Sequence, residues 1–301
     1  MSISITIASL KLRSPVILSS GVLGSRYGTI NRVIKNTLVG AVVTKTFTKE
    51  PREGYLTPIV AYTEAGLVNA VGLANPGIDN LKEILSNIVK EVPVIVSIAS
   101  STPREFAEMG IKAEEAGADA VELNLSCPHV RGHGLEVGQD PKYVREIVEN
   151  VKSVLKIPVF AKLGLNDKVI ESAKEAEKAG IDAITAINSV RAMVIDIYAK
   201  KPVLSNKYGG LSGPAIHPIA VRVVYDLYKN VEVPIIGVGG VTKWEDAVEL
   251  ILAGASAIAV ASVIALKGIS VINEIVEGIV SYLRSEGYSS LEEIIGLAHK
   301  N

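Results

Sequence analysis

Short, continuously apolar runs recur along the chain, each followed by a segment whose apolar residues return every three to four positions. The runs are Pro15–Ser19, Ala41–Thr44, Val94–Ile98, Ala120–Asn124, Val159–Lys162, Ala183–Ile187, Ile235–Val238 and Ala257–Val260. Spread over about 240 residues, they give roughly 30–35 residues per unit, the size of a strand–helix repeat in an eightfold barrel. Unbroken rather than alternating apolarity predicts parallel strands covered on both faces. Among the intervening segments, Leu81, Ile84, Leu85 and Ile88 lie at helical spacing and predict a core-facing stripe. Thr242 with Glu245 forms a capping-box pattern ahead of Ala247, Val248 and Ile251, and Ser290 with Glu293 is expected to open a last helix the same way. Gly180 and Gly254 fall where a left-handed helix end is expected.

The pattern predicts an α/β fold, a (β/α)8 TIM barrel, with an N-terminal β-hairpin (Ser2–Ile7 and Leu10–Arg13) closing its bottom. The competing open, doubly wound sheet requires a glycine-rich turn directly after the first strand, and Ser20–Gly24 is a poor match to G-x-G-x-x-G. The two longest connections run from Thr46 to about Gly77 and from Asn188 to about Pro214. Both follow a strand, which places them over the C-terminal face, where barrel active sites are built. No linker or low-complexity tract interrupts the 301 residues, so residues 1–301 read as one domain.

Composition narrows the classes. The formal net charge of −1 and the lack of charge runs argue against nucleic acid or an anionic membrane surface as a partner. The apolar stretch Ala255–Leu266 is shorter than the roughly 20 residues a membrane helix needs and reads as a strand running into a loop and helix. The N-terminus shows no basic segment followed by an apolar one, so a cytoplasmic location is expected. With a single cysteine, Cys127, no intrachain disulfide is possible, and the thiol is either packing or chemistry.

The strand ends carry the candidate chemistry. Gly213 in Gly209–Pro214, Gly239 and Gly240 after the seventh run, and Ala261 and Ser262 after the eighth suggest backbone N–H groups gathered for a phosphate. This signal alone does not choose between a flavin nucleotide and a phosphorylated substrate. Lys45 and Lys162 end the second and fifth runs; a lysine there needs an anion or a polar partner. Asn124, Asn188 and Ser189 end the fourth and sixth. Cys127 is a small hydrophobe by default, but beside two lysines and a flavin it becomes a candidate proton acceptor. The Pro128–Pro141 loop reads as a lid excluding water. Within it, His129 and His133 are four apart, which suits a metal only on a helix; Pro128 and the nearby glycines argue against one, so no metal is expected. His217 and His299 read as surface or capping residues. A flavin-free lyase using Lys162 as a Schiff base, and a non-enzymatic phosphate-ligand barrel, are competing readings at this level.

Taken in order, Ser20-Gly21, Thr44-Lys45, Asn69–Gly77, Glu122–Pro128, Ala161–Leu163, Ile187–Ser189, Gly209–Pro214, Gly237–Gly240 and Gly254–Ser256 resemble the class 1 dihydroorotate dehydrogenases over nearly the whole chain. The resemblance implies oxidation of dihydroorotate to orotate in pyrimidine synthesis, with FMN as cofactor. It implies that Cys127 removes a proton from C5 of the substrate while a hydride leaves C6 for N5 of the flavin. Lys45, Asn69, Val71, Gly72, Leu73, Asn124, His129, Asn188 and Ser189 would meet the substrate. Ser20, Lys45, Thr46, Ser97, Asn124, Lys162, Ile187, Gly213, Gly239, Gly240, Ala261 and Ser262 would hold the flavin, Lys162 lying near its N1 and O2. The membrane-associated class 2 has serine at the cysteine position and an N-terminal extension not seen here. The chain departs from the family pattern at His129, where asparagine is usual, and at Ser97, where asparagine is frequent. Cys127-Pro128-His129 and Gly138–Pro141 also resemble the flavin domain of dihydropyrimidine dehydrogenase, which keeps a dihydrouracil-type substrate as the alternative. The lid and Gly209–Pro214 look more like class 1B, implying a partner subunit with FAD and an iron–sulfur cluster, in a homodimer or heterotetramer.

Overall fold

The structure, a computed structural model, describes residues 3–23, 26–126 and 135–300. Its strands are β1 (Ile5–Ile7), β2 (Leu10–Leu12), β3 (Val16–Leu18), β4 (Ala41–Val43), β5 (Val60–Thr63), β6 (Gly66–Asn69), β7 (Val94–Ile98), β8 (Ala120–Asn124), β9 (Val159–Leu163), β10 (Ala183–Ala186), β11 (Val190–Ala192), β12 (Ile195–Asp196), β13 (Lys201–Pro202), β14 (Gly209–Ser212), β15 (Ile235–Val238) and β16 (Ala257–Val260). Its α-helices are α1 (Tyr27–Asn36), α2 (Leu81–Ser86), α3 (Pro103–Glu115), α4 (Leu135–Gly138), α5 (Pro141–Lys152), α6 (Val169–Lys178), α7 (His217–Tyr228), α8 (Trp244–Leu252), α9 (Ser262–Lys267) and α10 (Val271–Ser285).

Strands β3, β4, β7, β8, β9, β10, β15 and β16 close in that order into a parallel barrel, and they are the eight apolar runs of the sequence. Every residue in them is buried, because the barrel is filled from within and jacketed by helices. Where the last strand meets the first, Ile258 pairs with Val16. The jacket follows the sequence pattern. In α3, Thr102 accepts from the Glu105 N–H, Pro103 fills the first turn, and Phe106, Met109, Gly110 and Ala113 face inward. In α5, Asp140 accepts from the N–H groups of Lys142 and Tyr143, and Val144, Ile147, Val148 and Val151 are buried. Gly180 and Gly254 follow α6 and α8 at φ 86° and 122°. The N-terminal hairpin β1–β2 buries Ile5, Ile7, Leu10 and Leu12 in the main core. Its turn, Ala8–Ser9, shares a small cavity with Pro158 and Asp182, just ahead of β9 and β10, and so covers the barrel bottom.

Two helix starts differ from the sequence pattern. The cap before α8 uses Asp246 rather than Glu245: its carboxylate accepts from the Thr242 N–H (2.8 Å), the Thr242 hydroxyl (2.9 Å) and the Lys243 N–H (3.2 Å). The helix begins at Trp244, so its third residue, the one that can reach back, is Asp246. Glu293 does accept from the N–H groups of Ser289 and Ser290, but opens only a short 3-10 turn, Glu292–Ile294.

The two long connections also form a sheet that the hydrophobic pattern does not announce. β5 and β6 come from the first, β11 and β14 from the second, in the antiparallel order β11-β14-β6-β5. Asn69 pairs with Gly210 on one side and Val60 on the other. Gly209 and Gly210 therefore belong to a strand and not to a phosphate turn; a Cβ on Gly209 would stand 2.7 Å from both Leu204 and Val68. Val68, Ala61, Ala70 and Leu204 give this sheet a small core of its own. Among the described residues, no helix is long and apolar enough to cross a membrane.

Candidate active site

The barrel strands end at a cavity of about 400 Å³, roofed by the antiparallel sheet. This is within the usual range for a small-molecule site. Ser20, Lys45, Thr46, Asn124, Lys162, Ile187, Asn188, Ser189, Gly239, Gly240, Ala261 and Ser262 reach it from the strand ends, and Asn69, Val71, Gly72 and Leu73 from the first long connection. The sequence-predicted residues thus meet at one place, with four exceptions. Ser97 is fully buried beneath the floor and touches the site only through Thr46. Gly213 faces the roof hairpin, where its Cβ would stand 2.7 Å from the Cα of Gly66. Cys127 and His129 lie outside the described residues, as does His133.

A chain of polar side chains makes the floor. Thr46 Oγ1 is its hub, within hydrogen-bond distance of Ser20 Oγ (3.2 Å) and Ser97 Oγ (3.0 Å) and accepting from Asn124 Nδ2 (3.2 Å). Asn124 Oδ1 accepts from the N–H and hydroxyl of Ser126. Asn188 Nδ2 donates to Ser126 Oγ (2.8 Å), and Asn188 Oδ1 accepts from the Ser189 N–H (2.7 Å). Each asparagine is thereby fixed in one amide orientation. Ser126, to which the sequence reading gave no role, ties β8 to the end of β10 immediately before Cys127. Ile187, joined to Ala186 by a cis peptide bond, donates its N–H to the Val238 carbonyl at 2.7 Å.

Lys162 points up from β9 with its side chain 7% exposed. Among the described residues it makes one long hydrogen bond, to Ser19 Oγ at 3.4 Å, and faces Glu122 at 4.0 Å. Glu122 is buried, and its Oε1 has no hydrogen-bond partner among the described residues. Neither Glu122 nor Ser19 stands out in the sequence; each is one position in an apolar strand and declares itself only when the barrel closes.

The loop after β6 is shaped by Asn75. Its Nδ2 donates to Thr48 Oγ1 (2.8 Å) and the Leu73 carbonyl (2.7 Å), and its Oδ1 accepts from the N–H groups of Thr48 (3.2 Å) and Gly77 (2.9 Å). Gly72 and Leu73 take φ 77° and 57° and turn the chain at the cavity wall. Val60, Tyr62, Leu67 and Ser212 add roof residues that the sequence reading missed. The available signal was the Glu64-Ala65-Gly66 turn between two β-rich runs.

One histidine corrects the sequence reading and a second fits it. His217 is buried, not on the surface: its ring lies between the Gly239 carbonyl and Glu249, where α7 packs against α8. His299 is half-buried, stacked on Tyr225 with ring centroids 3.8 Å apart, and hydrogen-bonded to the carbonyl of Ala253, the C-cap of α8, which is a capping role as the sequence suggests. Among the described residues no group of side chains could hold a metal ion.

The donors fit a flavin nucleotide. The N–H groups of Gly239, Gly240 and Ala261 meet no acceptor among the described residues, though all three residues line the cavity. Backbone donors left unspent at a polar wall suit an anionic group. Lys162, a buried cation with little local compensation, suits the electron-rich edge of a ring that becomes anionic on reduction.

A parallel barrel with a roofed polar mouth, unspent backbone donors and a buried lysine defines a barrel enzyme of the cofactor-using kind. The chain belongs to the dihydroorotate dehydrogenase family, a family of flavoprotein oxidoreductases: the family model described as dihydroorotate dehydrogenase matches residues 2–283. Two relatives described as dihydroorotate dehydrogenase B (NAD(+)), catalytic subunit, come from Pyrococcus furiosus and Pyrococcus abyssi. The first is 50% identical over 301 residues, all of both chains, and the second 49% over 299 residues, 99% of each. A protein of Aeropyrum pernix, provisionally described as dihydroorotate dehydrogenase A (fumarate), is 50% identical over 300 residues, 99% of this chain and 98% of its own. Membership of the family sets aside the lyase and binding-barrel readings.

Proposed function

We propose that the chain oxidises dihydroorotate to orotate in pyrimidine biosynthesis, with FMN as the bound flavin and Cys127 as the base. The observation that carries this reading is the continuous polar floor from Ser20 to Ser189, which passes through Ser126, the residue before Cys127. Asn69, Asn124, Asn188 and Ser189 present amide and hydroxyl groups suited to a pyrimidine ring, and Lys45 and His129 supply donors for its carboxylate. Cys127 takes the proton from C5. A bound flavin would supply the acceptor for the hydride that leaves C6. Lys162 holds a positive charge beside the flavin, while Gly239, Gly240 and Ala261 offer N–H groups to its phosphate. The roof keeps bulk water from the ring face, which strengthens every one of these interactions.

The relatives' descriptions support a second subunit. We infer that this chain passes electrons to a partner carrying FAD and an iron–sulfur cluster, within a heterotetramer built on a homodimer. Cys127 is the sole cysteine of the sequence, so cluster ligands must come from elsewhere. The Aeropyrum relative marks fumarate as the competing acceptor. The composition and the lack of a membrane-length helix among the described residues support a cytoplasmic site of action.

The test is spectroscopic. Purified protein should be yellow and should bleach on anaerobic addition of dihydroorotate. Cys127→Ala should keep its flavin but lose at least about 10²-fold in the rate of flavin reduction, the low end for a general base. Bleaching by dihydrouracil and not by dihydroorotate would transfer the assignment to the dihydropyrimidine reaction.

A further inference from the structure

His217 lies behind the cavity wall rather than in it. It opens α7, and its side chain is 11% exposed. Nδ1 stands 3.0 Å from the Gly239 carbonyl oxygen and Nε2 3.1 Å from Glu249 Oε2. A backbone carbonyl oxygen only accepts hydrogen bonds. Nδ1 therefore donates to the Gly239 carbonyl, and Glu249 holds the opposite edge of the ring.

The same histidine packs on the next residue. A Cβ on Gly240 would meet His217 Cβ at 2.7 Å and its backbone nitrogen at 2.8 Å. The Gly239 C=O and the Gly240 N–H belong to one planar trans peptide and point in opposite directions. Anchoring the carbonyl behind the wall turns the Gly240 N–H to the other side, where the cavity is. Without that anchor, two adjacent glycines at φ 141° and 69° would have little to fix their peptide.

We propose that His217, held by Glu249, is a positioning residue for phosphate recognition. It locks the Gly239–Gly240 peptide with its donor facing the cavity. Its target is the phosphate monoester of the flavin nucleotide, so the inference rests on the reading of Gly239 and Gly240 as the phosphate cradle.

FMN and riboflavin differ only in that phosphate, and they separate this role from general support of the fold. Fluorescence-quenching titrations of the flavin-depleted full chain give the affinity for each. Wild type should prefer FMN. His217→Phe, which keeps a ring without donors, should cut that preference at least about tenfold while riboflavin affinity stays within about twofold, since a charge-assisted hydrogen bond is lost only on the phosphate side. His217→Gln, which can still donate to Gly239, should recover part of the preference, and Glu249→Gln should reduce it less than His217→Phe. Parallel losses for both ligands, or no change in the ratio, would overturn the role. If His217→Phe does not fold, an unchanged ratio in both His217→Gln and Glu249→Gln overturns it equally. A wild type that binds FMN and riboflavin alike would remove the phosphate cradle itself, and this inference with it.

Discussion

Lys162 and Glu122 face each other at 4.0 Å inside the barrel, with side chains 7% and 3% exposed. Among the described residues, Lys162 has only the long bond to Ser19, and Glu122 Oε1 has no hydrogen-bond partner. Removing one member of such a pair leaves the other charge buried and uncompensated. Glu122→Leu should therefore cost about 3–5 kcal/mol in urea unfolding of the flavin-free chain, and the double replacement Glu122→Leu with Lys162→Met should recover most of it. Equal losses in the single and double variants would show that the pair contributes only shape.

Asn75 makes four hydrogen bonds within the loop that places Val71, Gly72 and Leu73 at the cavity. Asn75→Ala strands the N–H groups of Thr48 and Gly77 and releases the loop. The KM for dihydroorotate should rise about tenfold, the effect of roughly 1.4 kcal/mol, with a smaller change in kcat. Steady-state kinetics check this; an unchanged KM alongside a lowered Tm would confine Asn75 to stability.

Gly213 sits at φ 106° with its missing Cβ directed at Gly66. Gly213→Ala should loosen the roof by about 1–3 kcal/mol, the scale of a strained backbone position. Hydrogen exchange should quicken in β6 and β14 while barrel strands such as β9 keep their protection. Uniform quickening would mean that the roof and barrel open as one unit.

Glu293 accepts from the hydroxyl and N–H of Ser289 and from Ser290, and these bonds hold its carboxyl below the ordinary carboxylate range. A depressed carboxyl contributes stability that is complete above its unfolded pKa of about 4.3 and is lost as pH falls through the lower folded value. Glu293→Gln should lower Tm at neutral pH, and the gap to wild type should close in acid, once the pH is well below the ordinary carboxylate range. Thermal melts at both pH values check the sign.

The barrel was legible in the sequence because burial on both faces leaves an unbroken apolar signature, and all eight runs became strands. Most of the site was legible for the same reason: Lys45, Asn124 and Lys162 are polar residues ending apolar runs. The roof was not, since β6 and β14 pair across some 140 positions and their glycines read equally well as turns. The burial of His217 is not legible in the sequence because it comes from packing on Gly239 and Gly240, which follow another strand. Asp246 was passed over because a one-residue shift in the helix start changes which carboxylate can reach back.

The sheet over the cavity is stitched from β5–β6 and β11–β14, segments separated by barrel strands β7 to β10. It cannot pair until those strands have brought its halves together, and closing so wide a loop is among the slowest steps open to a folding chain. A nascent or partly folded molecule consequently has no enclosed compartment for its ligands. Ligand retention becomes a quality mark that only a finished barrel can carry.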